Sequence, residues 1–171
     1  MKRKTRIFID MDGTLCEWKD DTPFEKLFER GYFINLNPYK NMLWAVEILC
    51  SIEEIEVFIL SAYLENTQTA LIEKQLWLDK YLGNAIDDEH RIFVPTTVSK
   101  TQAVPGGIRN DDILVDDYSL NLIRWQESGG KGIKVLNGVN GKSVKWTKDR
   151  VSVSQFGSEI CKNIIRVALG V

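Results

Sequence analysis

The chain has 171 residues, 44% apolar and 27% charged, with 22 Lys+Arg against 24 Asp+Glu and a formal net charge of −2. That size suits one domain with a real core and a small insertion, and the balanced charge excludes the basic footprint of a nucleic-acid polymer binder. No stretch approaches the ~20 apolar residues of a spanning helix, and only Ile7-Phe8-Ile9 separates the basic start Met1-Lys2-Arg3-Lys4-Thr5-Arg6 from an aspartate, too short for a signal-peptide core. With three scattered cysteines (Cys16, Cys50 and Cys161) in no CxxC spacing, the expectation is a reduced, cytoplasmic protein with no membrane partner.

Arg6 to Asp10 reads as the first strand and runs into Asp10-Met11-Asp12-Gly13-Thr14. In extended backbone, side chains at i and i+2 point the same way. Asp10 and Asp12 therefore face one small volume at the strand's C-terminal end, where ligand crevices of open α/β sheets lie. Two like charges so close are costly unless a cation or a shared proton relieves them, so the pair points to a metal site, an acid/base site, or both. Residues 16–37 follow, longer than the usual βα loop. They hold Trp18, Phe24, Phe28, Tyr32 and Phe33 among many charges, and read as a small helical cap insertion over the same end.

Pro38 then opens a helix in which Met42, Ala45, Val46, Leu49 and Ile52 recur at helical spacing. Glu56–Ser61 is a second strand, whose four consecutive apolar residues predict burial on both faces. A helix spans about 66–82 and stops at Gly83. Arg91–Val94 is a third strand ended by Pro95. Ile113–Val115, the fourth, runs into Asp116-Asp117. A helix over 120–127 stops before Gly129-Gly130, and Ile133–Leu136 is the fifth strand. Asn137-Gly138 and Asn140-Gly141 are turn signals. Phe156, Ile160, Ile164 and Val167 form the stripe of a terminal amphipathic helix. The alternation predicts a single α/β domain over residues 1–171, a Rossmann-like three-layer sandwich around a central parallel sheet.

Ser61 follows the second strand, Lys100 the third and Asp116-Asp117 the fourth. In a parallel sheet these ends share one edge with Asp10 and Asp12. Carboxylates, a hydroxyl and a lysine form a coherent set for phosphoryl transfer. Mg²⁺ takes carboxylate, phosphate and water oxygens, and metal and lysine together offset phosphoryl charge. One carboxylate can attack phosphorus, and a second can protonate the leaving oxygen and then deprotonate water. Other readings stand beside this one. Asp116-Asp117 also suits a helix N-terminus, and Lys74 suits a solvated helix face. Asp20-Asp21, Asp87-Asp88 and Asp111-Asp112 follow no apolar strand and read as solvated turns. His90, the only histidine, reads as structural or exposed, and nothing marks Cys16 as an activated thiolate. A phospho-accepting receiver domain uses similar groups, but its acceptor aspartate follows the third strand. A non-catalytic nucleotide-binding module would lack one of the essential groups.

The order DxDGT, hydrophobic-Ser, Lys, hydrophobic-Asp-Asp resembles the haloacid dehalogenase superfamily of phosphotransferases, from about Arg6 to Gly138. The resemblance implies that Asp10 is the nucleophile and Asp12 the general acid/base. It implies that the amides of Met11 and Asp12, with Ser61 and the adjoining Ala62, hold the phosphoryl group, and that Lys100 offsets its charge. It places Mg²⁺ on Asp10, the backbone carbonyl of Asp12 and Asp116, with Asp117 in or beside the coordination sphere. Phe58-Ile59-Leu60-Ser61-Ala62, Glu73-Lys74-Gln75-Leu76-Trp77-Leu78, Tyr81-Leu82-Gly83 and Lys100-Thr101 further resemble the cytosolic 5'(3')-deoxyribonucleotidase family. That match implies that Lys74 also approaches the phosphate. It implies that Trp18 meets the base, where stacking is worth ~1–3 kcal/mol; Tyr32, in the same insertion, is a second candidate for substrate contact. The chain departs from that family in having Ser61-Ala62 where Thr-Ser is usual, a shorter insertion than animal members, and Tyr118 where some members carry arginine. The expected function is Mg²⁺-dependent hydrolysis of nucleoside 5'-monophosphates, deoxyribonucleotides first, through an aspartyl-phosphate. The alternative is a small-metabolite phosphate, such as a sugar phosphate, on the same fold. The partner is a small phosphate ester, and the sequence is silent on oligomeric state.

Overall fold

The computed structural model describes residues 3–19, 21–67, 69–139 and 145–170. Its centre is a sheet of β1 (Thr5–Ile9), β2 (Ile55–Tyr63), β3 (Arg91–Pro95), β4 (Ile113–Asp116), β5 (Lys131–Leu136) and β6 (Arg150–Ser152), in the order β3-β2-β1-β4-β5-β6. Every neighbouring pair is parallel. Among the described residues four α-helices cover it: α1 (Lys40–Cys50), α2 (Ala70–Leu82), α3 (Ser119–Glu127) and α4 (Gly157–Leu169).

The layers follow from side-chain alternation along β1. Ile7 and Ile9 face a core built with Met42, Val46 and Leu49 of α1, Trp77 and Leu78 of α2, and Ile160 and Ile164 of α4. Phe8, between them, faces the opposite core with Leu60, Leu114, and Leu122 and Trp125 of α3. All five residues of β1 are buried, as a central parallel strand with helices on both faces requires. Helix α4 starts hard against α1: a Cβ on Gly157 would lie 2.7 Å from the Trp44 ring and 2.8 Å from the Asn41 carbonyl. Among the described residues no helix is long and apolar enough to cross a membrane.

The predicted elements appear where periodicity placed them, with differences that have local causes. Pro95 lies inside β3 rather than ending it. β3 is an edge strand, where a missing N–H costs no ladder bond. β6 was not predicted; of its three residues only Val151 is buried, too short a pattern to read. In the 16–37 stretch the α- or 3₁₀-helical structure among the described residues is one 3₁₀ helix, Phe24–Phe28. The Asn140-Gly141 turn and Asp20 lie outside the described residues.

One expectation is overturned. Asp112 is no solvated turn residue but is 0% exposed. Its carboxylate accepts from Arg6 Nε at 2.9 Å and Nη2 at 2.5 Å, and from the Arg109 amide at 2.7 Å. Arg6 also donates from Nη1 to the Pro105 carbonyl and from Nη2 to the Gly107 carbonyl, each at 2.7 Å. The pair ties the start of β1 to the loop before β4, and it is stable because both ions keep their hydrogen bonds after losing water.

Two outcomes follow for stability. Arg6→Met leaves Asp112 buried with only Arg109 to compensate it. The expected loss is about 3 kcal/mol, read as a lower urea midpoint with an unchanged m-value. His90 sits with Nδ1 2.5 Å from Asp87 Oδ1 and Nε2 3.5 Å from Glu56 Oε1. Burial pulls its pKa down, but the bonds to Asp87 and Glu56 outweigh this and leave it above the ordinary 6.5. A raised folded-state value means that the stabilisation is complete below pH 6.5 and fades as pH rises through the folded value. An NMR titration of this single histidine is expected to give a midpoint above 6.5, and Asp87→Asn is expected to lower it.

Candidate active site

Sheet register brings the acidic groups together. Ile9 pairs with Val115 across β1 and β4, and the Asp10 amide donates to the Val115 carbonyl at 2.9 Å. Asp10 and Asp116 thus leave adjacent strands at the same level. The chain then turns on the Met11 carbonyl, which accepts from the amides of Thr14, Leu15 and Cys16 at 3.2, 2.8 and 3.1 Å. Gly13 has φ +78, and a Cβ there would lie 2.1 Å from Asp117 Oδ2. The glycine of the DxDGT motif is therefore needed both for its left-handed backbone and to let the loop close over Asp117.

Lys100 opens a 3₁₀ helix (Lys100–Gln102) and is buried. Its ammonium bonds Asp10 Oδ1 and, at 2.7 Å, Asp116 Oδ2. Asp116 also accepts from the Tyr118 amide at 2.7 Å and from Asn121 Nδ2 at 3.0 Å. Asn137 Nδ2 donates to Asp117 Oδ2 at 2.8 Å and to the Gly13 carbonyl at 2.7 Å. Lys134 approaches from below, donating to the Asp117 carbonyl and to Ser119 Oγ. Asp10, Asp116 and Asp117 are all buried, and each offers an oxygen within 4.8 Å of the others. Oxygen donors of this kind suit a hard divalent cation such as Mg²⁺.

Asp12 lies beside this group, and its carboxylate belongs to a second one. Lys74, only 1% exposed, donates to Asp12 Oδ2 at 2.5 Å, Ser61 Oγ at 3.1 Å and the Ala62 carbonyl at 2.6 Å. All three ammonium donors are thereby used, and Lys74 is not on a solvated helix face. A cavity of about 170 Å³ opens over both groups, lined by Asp10, Asp12, Ala62, Lys100, Asp116 and Asp117, with Trp18, Tyr118 and Asn121 at its sides. Tyr32 does not line it. Tyr32 lines a neighbouring cavity of about 420 Å³ walled by residues between Glu17 and Asn37, and meets Trp18 edge-on at 6.4 Å between ring centroids. The structure therefore gathers Asp10, Asp12, Ser61, Ala62, Lys74, Lys100, Asp116, Asp117 and Trp18, and sets Tyr32 one ring further out. Sequence reasoning missed Asn121, Asn137 and Lys134. Asn137 was legible only as a turn residue, whereas Lys134, a lysine inside an apolar strand, was a signal left unread.

The electrostatics fit the crowding. Burial pushes the Asp10 carboxyl up to about 8, with Asp116, Asp117 and Asp12 adding to the rise and Lys100 opposing it. Burial pulls Lys100 down, but Asp10 and Asp116 more than offset it and hold the ammonium above the ordinary lysine value. Burial lowers Lys134, with Asp117 and Asp116 resisting. Burial, and then Asp12, raise the Cys16 thiol, so it is no activated thiolate.

No protein-family model matches the chain, and no curated protein matches it. Solved structures do. The chain is similar to D,D-heptose 1,7-bisphosphate phosphatase from B. bronchiseptica, complexed with magnesium and phosphate. The TM-score is 0.63 at 11% identity, over 95% of this chain and 98% of that one. It is also similar to the HAD domain of the effector protein Lem4 from Legionella pneumophila, an inactive mutant. There the TM-score is 0.54 at 14% identity, over 98% of this chain and 95% of that one. At these identities the likeness establishes the fold alone, an α/β sandwich around a parallel sheet.

The raised Asp10 value gives a pH dependence with a definite sign. In metal-free protein its contribution to stability is complete below pH 3.8 and is lost as pH rises through about 8. Thermal melts of metal-stripped protein are expected to fall over that interval. Asp10→Asn is expected to flatten the fall, and added Mg²⁺ to restore stability on the alkaline side.

Proposed function

We propose that this protein is a Mg²⁺-dependent phosphomonoesterase of the haloacid dehalogenase type, hydrolysing nucleoside 5'-monophosphates, deoxyribonucleotides first. The observation that carries the reading is the meeting of Asp10, Asp116 and Asp117 within 4.8 Å beneath the Lys100 ammonium, at the mouth of a cavity that Asp12 also lines. Asp10, Asp116, Asp117 and the backbone carbonyl of Asp12 would hold the cation. When bound, Mg²⁺ supplies neutralisation of charge on the phosphoryl oxygens.

The chain's own residues do the rest. An Asp10 carboxylate oxygen attacks phosphorus, and the bond from phosphorus to the ester oxygen breaks. That oxygen takes the proton of the Asp12 carboxyl. Asp12, now a carboxylate, removes a proton from water. The water oxygen attacks phosphorus, and the bond to Asp10 breaks to release orthophosphate. For Asp12 to exchange protons, Lys74 must turn from it towards the phosphoryl oxygens, joining Ser61 Oγ and the amides of Met11 and Asp12. Ala62 serves through its carbonyl, which holds Lys74. Residues 16–37 act as the cap, with Trp18 as the base-stacking face and Tyr32 behind it. The free thiols Cys16, Cys50 and Cys161 support a cytoplasmic setting.

A second reading, hydrolysis of a sugar phosphate, is favoured by one observation: the similar structure bound to magnesium and phosphate is a heptose bisphosphate phosphatase. A panel of nucleoside 5'-monophosphates and sugar phosphates, assayed for released phosphate with Mg²⁺, separates the two. The highest kcat/KM is expected on a nucleotide, and a sugar phosphate in that place selects the second reading. Asp10→Asn is expected to lower kcat by at least ~10³-fold while the protein keeps a cooperative melt. Full activity in that variant would contradict the nucleophile assignment.

A further inference from the structure

The mechanism makes no use of a second buried acid, Glu73, which sits in the first turn of α2. Its two oxygens reach across to the 16–37 stretch. Oε1 accepts from the Gly31 amide at 2.6 Å and Oε2 from the Phe33 amide at 3.1 Å. Among the described residues no lysine or arginine is within ion-pair distance of it, so these two amides are its compensation. A buried carboxylate without a cation is costly, and it persists where strong, directional acceptors are needed. What lies between the two amides is Tyr32. Its ring meets Phe33 at 4.9 Å on one side and Trp18 at 6.4 Å on the other, both edge-on. Trp18 in turn lines the cavity over the acidic group. One turn along the same helix face, Trp77 Nε1 donates to the Leu36 carbonyl at 2.8 Å, and residues i and i+4 present one face. The Lys74 ammonium, whose backbone follows Glu73 directly, lies 5.0 Å from the Phe33 ring centroid.

We infer that Glu73 is a positioning residue: its carboxylate clasps the Gly31 and Phe33 amides, fixes Tyr32 and thereby Trp18, and so sets the wall that the leaving group of the ester meets. The inference rests on the phosphomonoesterase reading for its effect on substrates, but the clasp itself is tested without turnover. Losing it loosens the wall while the strand ends that carry Asp10, Ser61 and Asp116 stay in place. Esters with a bulky leaving group are therefore affected and small ones are not.

Two variants and two measurements decide the matter. Glu73→Ala removes both acceptors, whereas Glu73→Gln keeps one oxygen and nearly the same shape. With deoxythymidine 5'-monophosphate, Glu73→Ala is expected to raise KM about tenfold, the size of one lost charged hydrogen bond, with Glu73→Gln in between. With acetyl phosphate, whose leaving group is only acetate, kcat and KM are expected to stay within about twofold, a shift too small to mark a lost contact. Separately, brief trypsin digestion is expected to cut after Lys26 and Arg30 about tenfold faster in Glu73→Ala than in wild type, as local opening of about 1.4 kcal/mol lower cost requires. Equal losses on both substrates, or an unchanged KM for the nucleotide, would overturn the role in leaving-group selection. An unchanged tryptic rate would overturn the clasp. If wild-type protein hydrolyses neither substrate, the phosphomonoesterase reading fails on its own, and the tryptic comparison still decides whether Glu73 holds the wall.

Discussion

Negative charge gathered in a small buried volume has to be compensated, and the arrangement of this protein's strand ends answers to that constraint. At an effective dielectric of 20, two unit charges 4 Å apart interact by about 4 kcal/mol. Lys100 meets Asp10 and Asp116 from one side, Lys74 meets Asp12 from another, and Lys134 reaches the Asp117 carbonyl from below. With every carboxyl ionised, four carboxylates against three ammonium groups leave one negative charge, an excess that the raised Asp10 value relieves by a proton when no cation is bound. On the proposed reading a divalent cation turns that excess to one positive charge, and a doubly charged phosphomonoester turns it back. On that reading each of the two ligands improves the site for the other.

The parallel sheet makes this possible at low cost. Because β1, β2 and β4 run the same way, their C-terminal ends deliver Asp10, Ser61 and Asp116 to one edge. The buried strands behind them hold these positions rigidly. The turn after β1 is fixed by three amides on one carbonyl, and Asn137 links that turn to Asp117. These contacts leave the groups little freedom to drift, which is how electrostatic preorganisation is stored in a fold.

Much of this was legible from the amino-acid sequence because strand ends and apolar runs are local signals. Asp10, Ser61 and Asp116 each follow an apolar run directly, and Asp12 lies two residues beyond Asp10, so their convergence follows once the sheet is parallel. What was illegible depends on partners far along the chain. Asp112 looked like a turn residue because Arg6, which buries and neutralises it, lies 106 positions away. Lys74 had a solvated reading open to it because its partner Asp12 is 62 positions distant. Tyr32 and Trp18 could not be ranked by composition, since aromatic rings in a long loop pack on one another as readily as on a ligand. The structure sets Trp18 at the cavity and Tyr32 behind it. Periodicity tells which face a residue occupies, but not which distant charge waits there.

Helix α2 occupies a position between chemistry and selection. Within five residues it presents Glu73 to the amides of Gly31 and Phe33, Lys74 to Asp12 and Ser61, and Trp77 to the Leu36 carbonyl. The same rigid rod therefore touches the loop that walls the cavity and the acid beside the buried cluster. Glu73 touches the wall and Lys74 the acid and the hydroxyl, so one helix serves both places through different side chains, and the rings of residues 16–37 can change without disturbing the strand ends. That separation has a direct consequence for specificity. On the proposed reading, substitutions in the insertion alter which leaving group fits, substitutions at the strand ends alter whether a P–O bond breaks, and α2 carries residues of both kinds, Glu73 for the first and Lys74 for the second.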